Sequence, residues 1–393
     1  MVTMENLIDA YYATRQNKRR SADSVQFELH WQRNLVDLLE AINTRTLQPT
    51  AYTFITRKPK PREVFACDMA TRIVHHYIDL RLRPIIEEEL TVRTFNNRIG
   101  YGQVVAVNTL ISDIYDVSKG FTKDAWIIKL DLAGYFPSAD QEIVYQQLVN
   151  LALSKYKGED KDDLCYMIQR AVFSYPQLHC YRKSPKWKWS LIPKEKSLFF
   201  NPLGIGGAIG HLIWQNAMNY YLNDIDHWLL DTCGLHYLRF VDDMVITTDN
   251  KEACLAFVIP EIRRRLRALH CTLHPKKFYC QHYTKGVNFI GSQIKRDRVY
   301  VSKRIIRNSM RSVERLSRRA SLKKLHTFLQ SANSYLGIFK TRNAFRFVQK
   351  FLAKIPPDWW KYCYFNRTRV CLQANEGYGE LELLVKKHHV KLT

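Results

Sequence analysis

Three aspartates stand at the ends of apolar runs: Asp131 within WIIKLDL (126–132), and Asp242 with Asp243 inside HYLRFVDDMVITT (236–248). Hard divalent ions prefer carboxylate oxygens, and two carboxylates on neighbouring strands can bridge a pair of ions about 4 Å apart. A centre of that kind activates a 3′-hydroxyl and stabilises a leaving pyrophosphate, while protein cations neutralise the charge developing on phosphate. An Asp-Asp pair is also ordinary turn chemistry, because aspartate tolerates tight backbone geometry. What raises the site reading is its agreement with independent features elsewhere in the chain.

The elements that must position these acids follow from patterning. Residues 126–132 are a branched apolar run that predicts a buried strand, and DQEIVYQQLVNLAL (140–153) predicts a helix after the Pro137-Ser138 break. Residues 236–248 predict two strands joined at Asp242-Asp243. TFITRKPKPREVFA (53–66) predicts two extended runs around a basic, proline-rich turn, since the residue before each proline is pushed out of the helical region. Helical spacing appears over 24–46, with Ser21 or Asp23 as the cap, and again over 255–269, where Pro260 implies a kink or a late start. TLHPKKFYC (272–280) and KGVNFIGSQI (285–294) predict a pair of short strands. Residues 301–350 carry 13 Lys/Arg against the single acid Glu314, on a pattern of two or three helices, and a domain boundary is placed near 297.

The totals bound the class. The chain has 393 residues, 46% of them hydrophobic, and 60 Lys+Arg against 37 Asp+Glu, a formal charge of +23. That is enough apolar material for two or three packed units, and the charge suits a polyanion, nucleic acid or an acidic membrane surface. The nine cysteines show no CxxC pair and no matched Cys/His spacing, so neither a disulfide framework nor a zinc site is expected, and a reducing cytoplasm fits. No signal peptide is read at the N-terminus. Residues 197–222 are free of Asp, Glu, Lys and Arg, but Pro202, Gly204, Gly206, Gly207 and Gly210 suit a shaped loop leading into a helix rather than a membrane span.

On these residues the sequence resembles a reverse transcriptase. IIKLDLAGYFPS (127–138) resembles the first catalytic motif of that family and RFVDDMVI (239–246) its aromatic-x-Asp-Asp box. The resemblance implies an α+β right-hand polymerase fold, with fingers and palm built on antiparallel sheet and a helical thumb after them. It divides the chain into an N-terminal helical region (1–50), fingers (51–125), a palm (126–296) with an inserted finger segment at about 155–215, and a thumb with C-terminal extension (297–393). It implies that Asp131, Asp242 and Asp243 bind two Mg²⁺ ions, with Mn²⁺ as an alternative, that Leu132 offers a backbone carbonyl, and that Phe136 rejects a ribose 2′-hydroxyl. RKPKPREVF (57–65) resembles the fingers motif, so Arg62, with Lys58 or Lys60, would hold the incoming triphosphate; LHPKK (273–277) brings Lys276 or Lys277 near it. KGVNFIGSQI resembles the primer grip. Phe136 also reads as core, and either lysine as a solvated charge.

Within that family the closest resemblance is to reverse transcriptases of diversity-generating retroelements. IGHLIWQNAMNYYLNDID (209–226) resembles their IGxxxSQ motif, with Gln215 where most reverse transcriptases have Pro, while Trp214 replaces the usual Ser and Phe240 the usual Tyr. IPKEKSLFF (192–200), FNNRIGYGQVVAV (95–107) and SYLGIFKTRNAFR (334–346) resemble further segments. The implied activity is copying of a template-repeat RNA into cDNA with errors opposite adenines, for mutagenic retrohoming. Arg62, Ile209 and Gly210 would then lie by the nascent base pair, with dNTPs, template RNA, a cDNA primer or duplex and a small basic oligomeric accessory protein as partners. A bacterial or phage-encoded, cytoplasmic protein is expected. The rivals are retron, group II intron-like and phage-defence reverse transcriptases, which share the Asp set, and a non-catalytic RNA-binding protein, which needs only the charge.

Overall fold

The β-branched and aromatic runs flanking the acids form strands, and the helical faces close around them. The structure, a computed structural model, describes residues 1–16, 21–57, 60–296, 298–316, 318 and 320–378. Their chain forms two compact units, 1–106 with 125–280, and 107–124 with 281–393. The composition change near residue 297 therefore lies inside the second unit, and Asp297 itself is outside the described residues.

The first unit begins with α1 (Met4–Arg15), α2 (Ala22–Glu28) and α3 (Trp31–Asn43), where Ser21 caps α2 by accepting from Ser24 N. β1 (Ala51–Thr56) and β2 (Arg62–Cys67) pair antiparallel across the basic turn. α4 (Met69–Glu89) is the central helix, capped by Asp68, burying Met69, Ile73, Tyr77, Leu82 and Ile86 against α1 and a later helix. α5 (Gln103–Val117) begins in this unit and from Val107 belongs to the second; the first unit resumes with β3 (Trp126–Asp131), α6 (Gln141–Lys155), α7 (Lys161–Val172) and α8 (Pro176–His179). β4 (Tyr181–Arg182) adds parallel to β1. After the glycine loop come α9 (Leu212–Tyr221) and α10 (Asn223–His227).

β5 (His236–Phe240) and β6 (Asp243–Thr248) make the expected hairpin, with Val241-Asp242 as its two-residue turn. α11 (Lys251–Ala253), one π-helical turn and α12 (Ile259–Ala268) follow, so Pro260 sits at the start of α12, the late-start alternative. β7 (Tyr279–His282) completes a four-stranded sheet in the order β5-β6-β3-β7. The segment expected as one strand over 272–280 is extended only from Tyr279, because Pro275 and the tie of 272–274 to the end of β3 keep the rest out of a ladder.

In the second unit KGVNFIGSQI contains two strands, β8 (Val287–Phe289) and β9 (Ser292–Ile294), turned at Ile290-Gly291 and joined by β10 (Val299–Val301). Three helices follow, α13 (Lys303–Leu316), α14 (Leu322–Thr341) and α15 (Phe345–Leu352), then the hairpin β11 (Cys363–Asn366) and β12 (Cys371–Ala374). Leu325, Phe328, Ala332, Leu336 and Phe339 recur along one face of α14, and Phe328 stacks on Trp359 at 4.0 Å. No helix of the described residues is long and apolar enough to cross a membrane; the stretch 197–222 is a loop that leads into α9.

Trp214 shows how the sequence departure beside Gln215 is absorbed. Its ring is 1% exposed, on the buried face of α9 with Ile213, Ala217 and Tyr221, and a Cβ built on Gly207 would meet it at 2.5 Å. Glycine at 207 thus makes room for tryptophan at 214. Overpacking of this kind costs about 1–3 kcal/mol, so Gly207→Ala is expected to lower stability by that amount in urea unfolding. The loss should shrink in a Trp214→Leu background, because the two positions are in contact.

Candidate active site

The antiparallel register of β3 and β6 sets Asp131 directly opposite Asp243, and β5 sets Phe240 opposite the same residue. Asp242 is the second residue of the turn. The first, Val241, has φ 60°, and no left-handed φ falls at Asp242. That pattern is a type II′ turn, in which the first central position usually holds glycine. A β-branched residue held there costs on the order of 1–3 kcal/mol and persists only where its surroundings fix it.

The surroundings do. Asn96 Oδ1 accepts the Val241 N–H at 2.8 Å, and the Arg239 guanidinium donates to the Val241 carbonyl at 3.2 Å. Arg239 is fully buried on β5; its fork reaches both Asp226 oxygens at 2.6–3.0 Å and the Asn219 carbonyl at 2.7 Å. Asp226, equally buried, also accepts from the Tyr237 and Thr94 hydroxyls at 2.7 and 3.1 Å. The 93–95 backbone lies along β5, with Arg239 N donating to Arg93 O and Phe95 N to Arg239 O.

Side-chain alternation puts Lys129 and Asp131 on one face of β3. Lys129 Nζ stands 2.9 Å from Asp243 Oδ1, and Lys277 Nζ 2.6 Å from Asp131 Oδ1. Burial pushes the Asp242 carboxyl above the usual range, Asp243 and Asp131 push it further, and Lys277 opposes them. The backbone after β3 is laced to the later segment: Leu132 N donates to Asp242 O, Ala133 N to Thr272 O, and His274 N to Asp131 O. This lacing delivers Lys277 to Asp131. Lys276 instead sends its backbone N–H to His274 Nδ1 and leaves an exposed side chain.

The turn that follows carries Tyr135, buried with its hydroxyl on the Met218 carbonyl, and Phe136, half-buried and edge-on to Tyr135 at 6.0 Å. The loop 201–211 spans from this turn to β2. Gly207 N donates to Phe136 O at 2.8 Å and Gly206 N to Ala139 O at 2.7 Å, while Ile209 O accepts from Phe65 N at 2.8 Å. Gly210 has φ 113°, and a Cβ there would lie 2.3 Å from the Phe65 carbonyl, so only glycine permits the approach. On β2 the buried Glu63 carboxylate gathers Trp189 Nε1, Ser197 Oγ and Leu198 N at 2.9–3.1 Å. Gln215 is exposed and lines a cavity of about 420 Å³ with Asn96, Phe240 and Val241.

Of the residues marked in sequence, Asp131, Leu132, Asp242, Asp243 and Lys277 come together, and Phe136 follows Asp131 on the next turn. Arg62, Ile209 and Gly210 form a second group along β2, with Lys60 exposed just before it; Lys58 lies outside the described residues. Sequence reading missed Lys129, Arg239, Asp226, Asn96 and Glu63. Lys129 was findable, two residues before Asp131 on a strand, and so was Arg239, a charge inside an apolar strand that must have a partner.

The oxygen-only donor set suits hard divalent ions, and a cation would favour the charged form of the Asp242 carboxyl, which burial first and then Asp243 and Asp131 disfavour. Among the described residues the three carboxylates do not bring one oxygen each within 4.8 Å of one another. Breaking a buried ion pair by removing one partner costs about 3–5 kcal/mol. Asp226→Asn is therefore expected to lower stability by that order in denaturant unfolding, and an effect below about 1 kcal/mol would deny Asp226 this role.

Residues 56–294 match the reverse transcriptase (RNA-dependent DNA polymerase) family. No curated protein matches the sequence. Among solved structures, the chain is similar to apo telomerase from Candida tropicalis truncated from its C-terminal domain, at 11% identity and a TM-score of 0.45, covering 67% of this chain and 59% of that one. It is also similar to telomerase from Candida albicans in complex with a fragment of telomeric RNA, at 12% identity and a TM-score of 0.43, covering 86% and 63%. The chain thus spans about three fifths of the length of these telomerases. With well over half of its residues matched, the chain belongs to the reverse transcriptase family, whose right-hand polymerase fold is the α+β architecture described above and whose members generally use divalent metal ions.

Proposed function

We propose that the protein is an RNA-directed DNA polymerase whose reaction centre is Asp131, Asp242 and Asp243. The observation that carries this reading is the facing register of Asp131 and Asp243, with Asp242 raised beside them in a rigid turn. Two Mg²⁺ ions, or Mn²⁺, held there with the Leu132 carbonyl would supply Lewis acidity toward the attacking 3′-hydroxyl and the leaving pyrophosphate. Lys129 and Lys277 keep the carboxylates paired and place positive charge where phosphate charge develops. Phe136, half-exposed above the first turn, would exclude a 2′-hydroxyl by clash, a repulsive device for choosing deoxynucleotides. Arg62 and Lys60 at the mouth of β2 would hold the triphosphate.

In this reading 51–125 serve as fingers, 126–296 as palm with its insertion, and 297–393 as thumb. Arg304, Arg307, Arg311 and Arg315 recur along exposed positions of α13, a spacing that suits duplex phosphates without base preference. The diversity-generating subtype is supported by exposed Gln215 beside Phe240 and by the Ile209-Gly210 backbone fixed against β2, where small changes in the room for a base pair would lower fidelity. A template-repeat RNA and a basic oligomeric accessory protein belong to that reading.

Two measurements check these proposals. Asp242→Asn with Asp243→Asn should abolish Mg²⁺-dependent extension of a primer on an RNA template, while RNA retention in a filter assay stays within about twofold, since phosphate contacts lie elsewhere. Normal extension by the double variant would remove the polymerase centre from these residues. Sequencing cDNA made on an RNA carrying all four bases should show errors concentrated opposite adenine; uniform fidelity would exclude the diversity-generating subtype and leave the polymerase assignment standing.

A further inference from the structure

A second cluster of metal-binding side chains lies apart from the carboxylates. Cys67 ends β2, His75 stands on the second turn of α4, and His211 immediately precedes α9. Each is 1% exposed. Cys67 Sγ and His75 Nδ1 are 3.7 Å apart, and the His75 and His211 rings lie tilted at 52° to each other with centroids at 5.1 Å. One ligand atom from each residue falls within 4.8 Å of the other two, the only such trio among the described residues.

Three ring nitrogens at this spot, His75 Nε2 and both nitrogens of His211, are buried without a hydrogen-bond partner. Each buried polar group left in that state costs about 1–3 kcal/mol. Burial lowers both imidazoles, His211 to about 4, so they are neutral, the form that donates a lone pair to a metal. The spacing also fits an ion. With metal–sulfur near 2.3 Å and metal–nitrogen near 2.05 Å, sulfur and nitrogen on a shared ion lie about 3.5 Å apart at tetrahedral angles and about 3.8 Å at trigonal ones.

We propose that Cys67, His75 and His211 form a buried site for a thiophilic d¹⁰ cation, Zn²⁺ or Cu⁺, that pins β2, α4 and the glycine loop together. Soft thiolate with two imidazoles selects these ions over Mg²⁺, Ca²⁺ or Mn²⁺. Binding releases the thiol proton, which burial otherwise holds firmly, and gives His211 the partner it lacks. Cu⁺ with one thiolate is a neutral three-coordinate centre; Zn²⁺ would take a fourth ligand. The placement gives the ion a purpose. Cys67 is two residues past Phe65 and His211 two past Ile209, the pair whose backbone hydrogen bond clamps the loop to β2. This role is structural and stands whether or not the polymerase reading does.

The experiment uses the full chain, purified without a metal-affinity tag. Elemental mass spectrometry is expected to find about one equivalent of zinc or copper, falling at least tenfold in Cys67→Ser. Unchanged metal in that variant would overturn the site. Wild type stripped by a chelator and checked for folding by circular dichroism provides a second readout. Added Co²⁺ should give a thiolate-to-cobalt charge-transfer band, and anaerobic Cu⁺ should be withheld from a competing chelator; whichever of zinc and copper binds at one equivalent identifies the ion. Absence of both the cobalt band and Cu⁺ retention in the folded chain would refute the proposal.

Discussion

The proposed reaction centre depends on a salt bridge that never meets water. Asp226 and Arg239 are wholly buried, and removing two charges from solvent costs several kcal/mol per ion. The cost is offset because nearly every hydrogen-bonding direction is used: Arg239 serves Asp226, Asn219 and Val241, and Asp226 also accepts Tyr237 and Thr94. That satisfied network holds Val241 in a backbone state it would otherwise leave. With Val241 fixed, Asp242 and Asp243 have one placement relative to Asp131. The placement of the three carboxylates is thus set by the fold itself, as the proposed chemistry, a catalysis by positioning, would require.

A second constraint is how little room is left for side chains in the loop 201–211. Gly206, Gly207 and Gly210 each sit where a side-chain carbon would meet a neighbour at 2.3–2.5 Å, and two of them also need positive φ. The loop therefore follows one path, from the turn after Asp131 to the middle of β2. Buried Glu63 fixes the segment just before the loop, at Ser197 and Leu198, to the same strand. The turn after Asp131 and the strand leading from the basic turn are coupled through the main chain of this loop, with the buried Glu63 side chain as a second tie.

Much of this was legible beforehand, for reasons that differ by residue. Asp131, Asp242 and Asp243 were visible because a charge ending an apolar strand is rare and the β period is short. The hairpin followed from β-branching; proline left a kink or a late start open for the helix over 255–269, and spacing gave two or three helices after 301, of which the fold has the late start and three helices. The Asp226–Arg239 pair was not legible as a pair, since nothing local joins a helical acid to a strand arginine. Trp214 read only as a departure from the usual Ser, because its partner, Gly207, is a packing neighbour that spacing does not announce. The Cys67, His75 and His211 cluster was not legible from sequence spacing for a related reason. Its members stand 8 and 136 residues apart, and only the tertiary fold makes them adjacent.

The interleaving of the two units bears on how the chain is made. Residues 107–124 belong with 281–393, yet 156 residues of the first unit separate them. At roughly 5–20 residues per second, a ribosome would need on the order of 8–30 s between the two. During that interval the apolar side of the later half of α5, Leu110 and Ile114 among it, waits for its packing partners. The first unit is not complete either until β7 emerges to finish the sheet beside β3. Nascent chains of this protein are thus exposed, at one defined stage of synthesis, to chaperone capture or misassociation through a helix that the finished fold conceals.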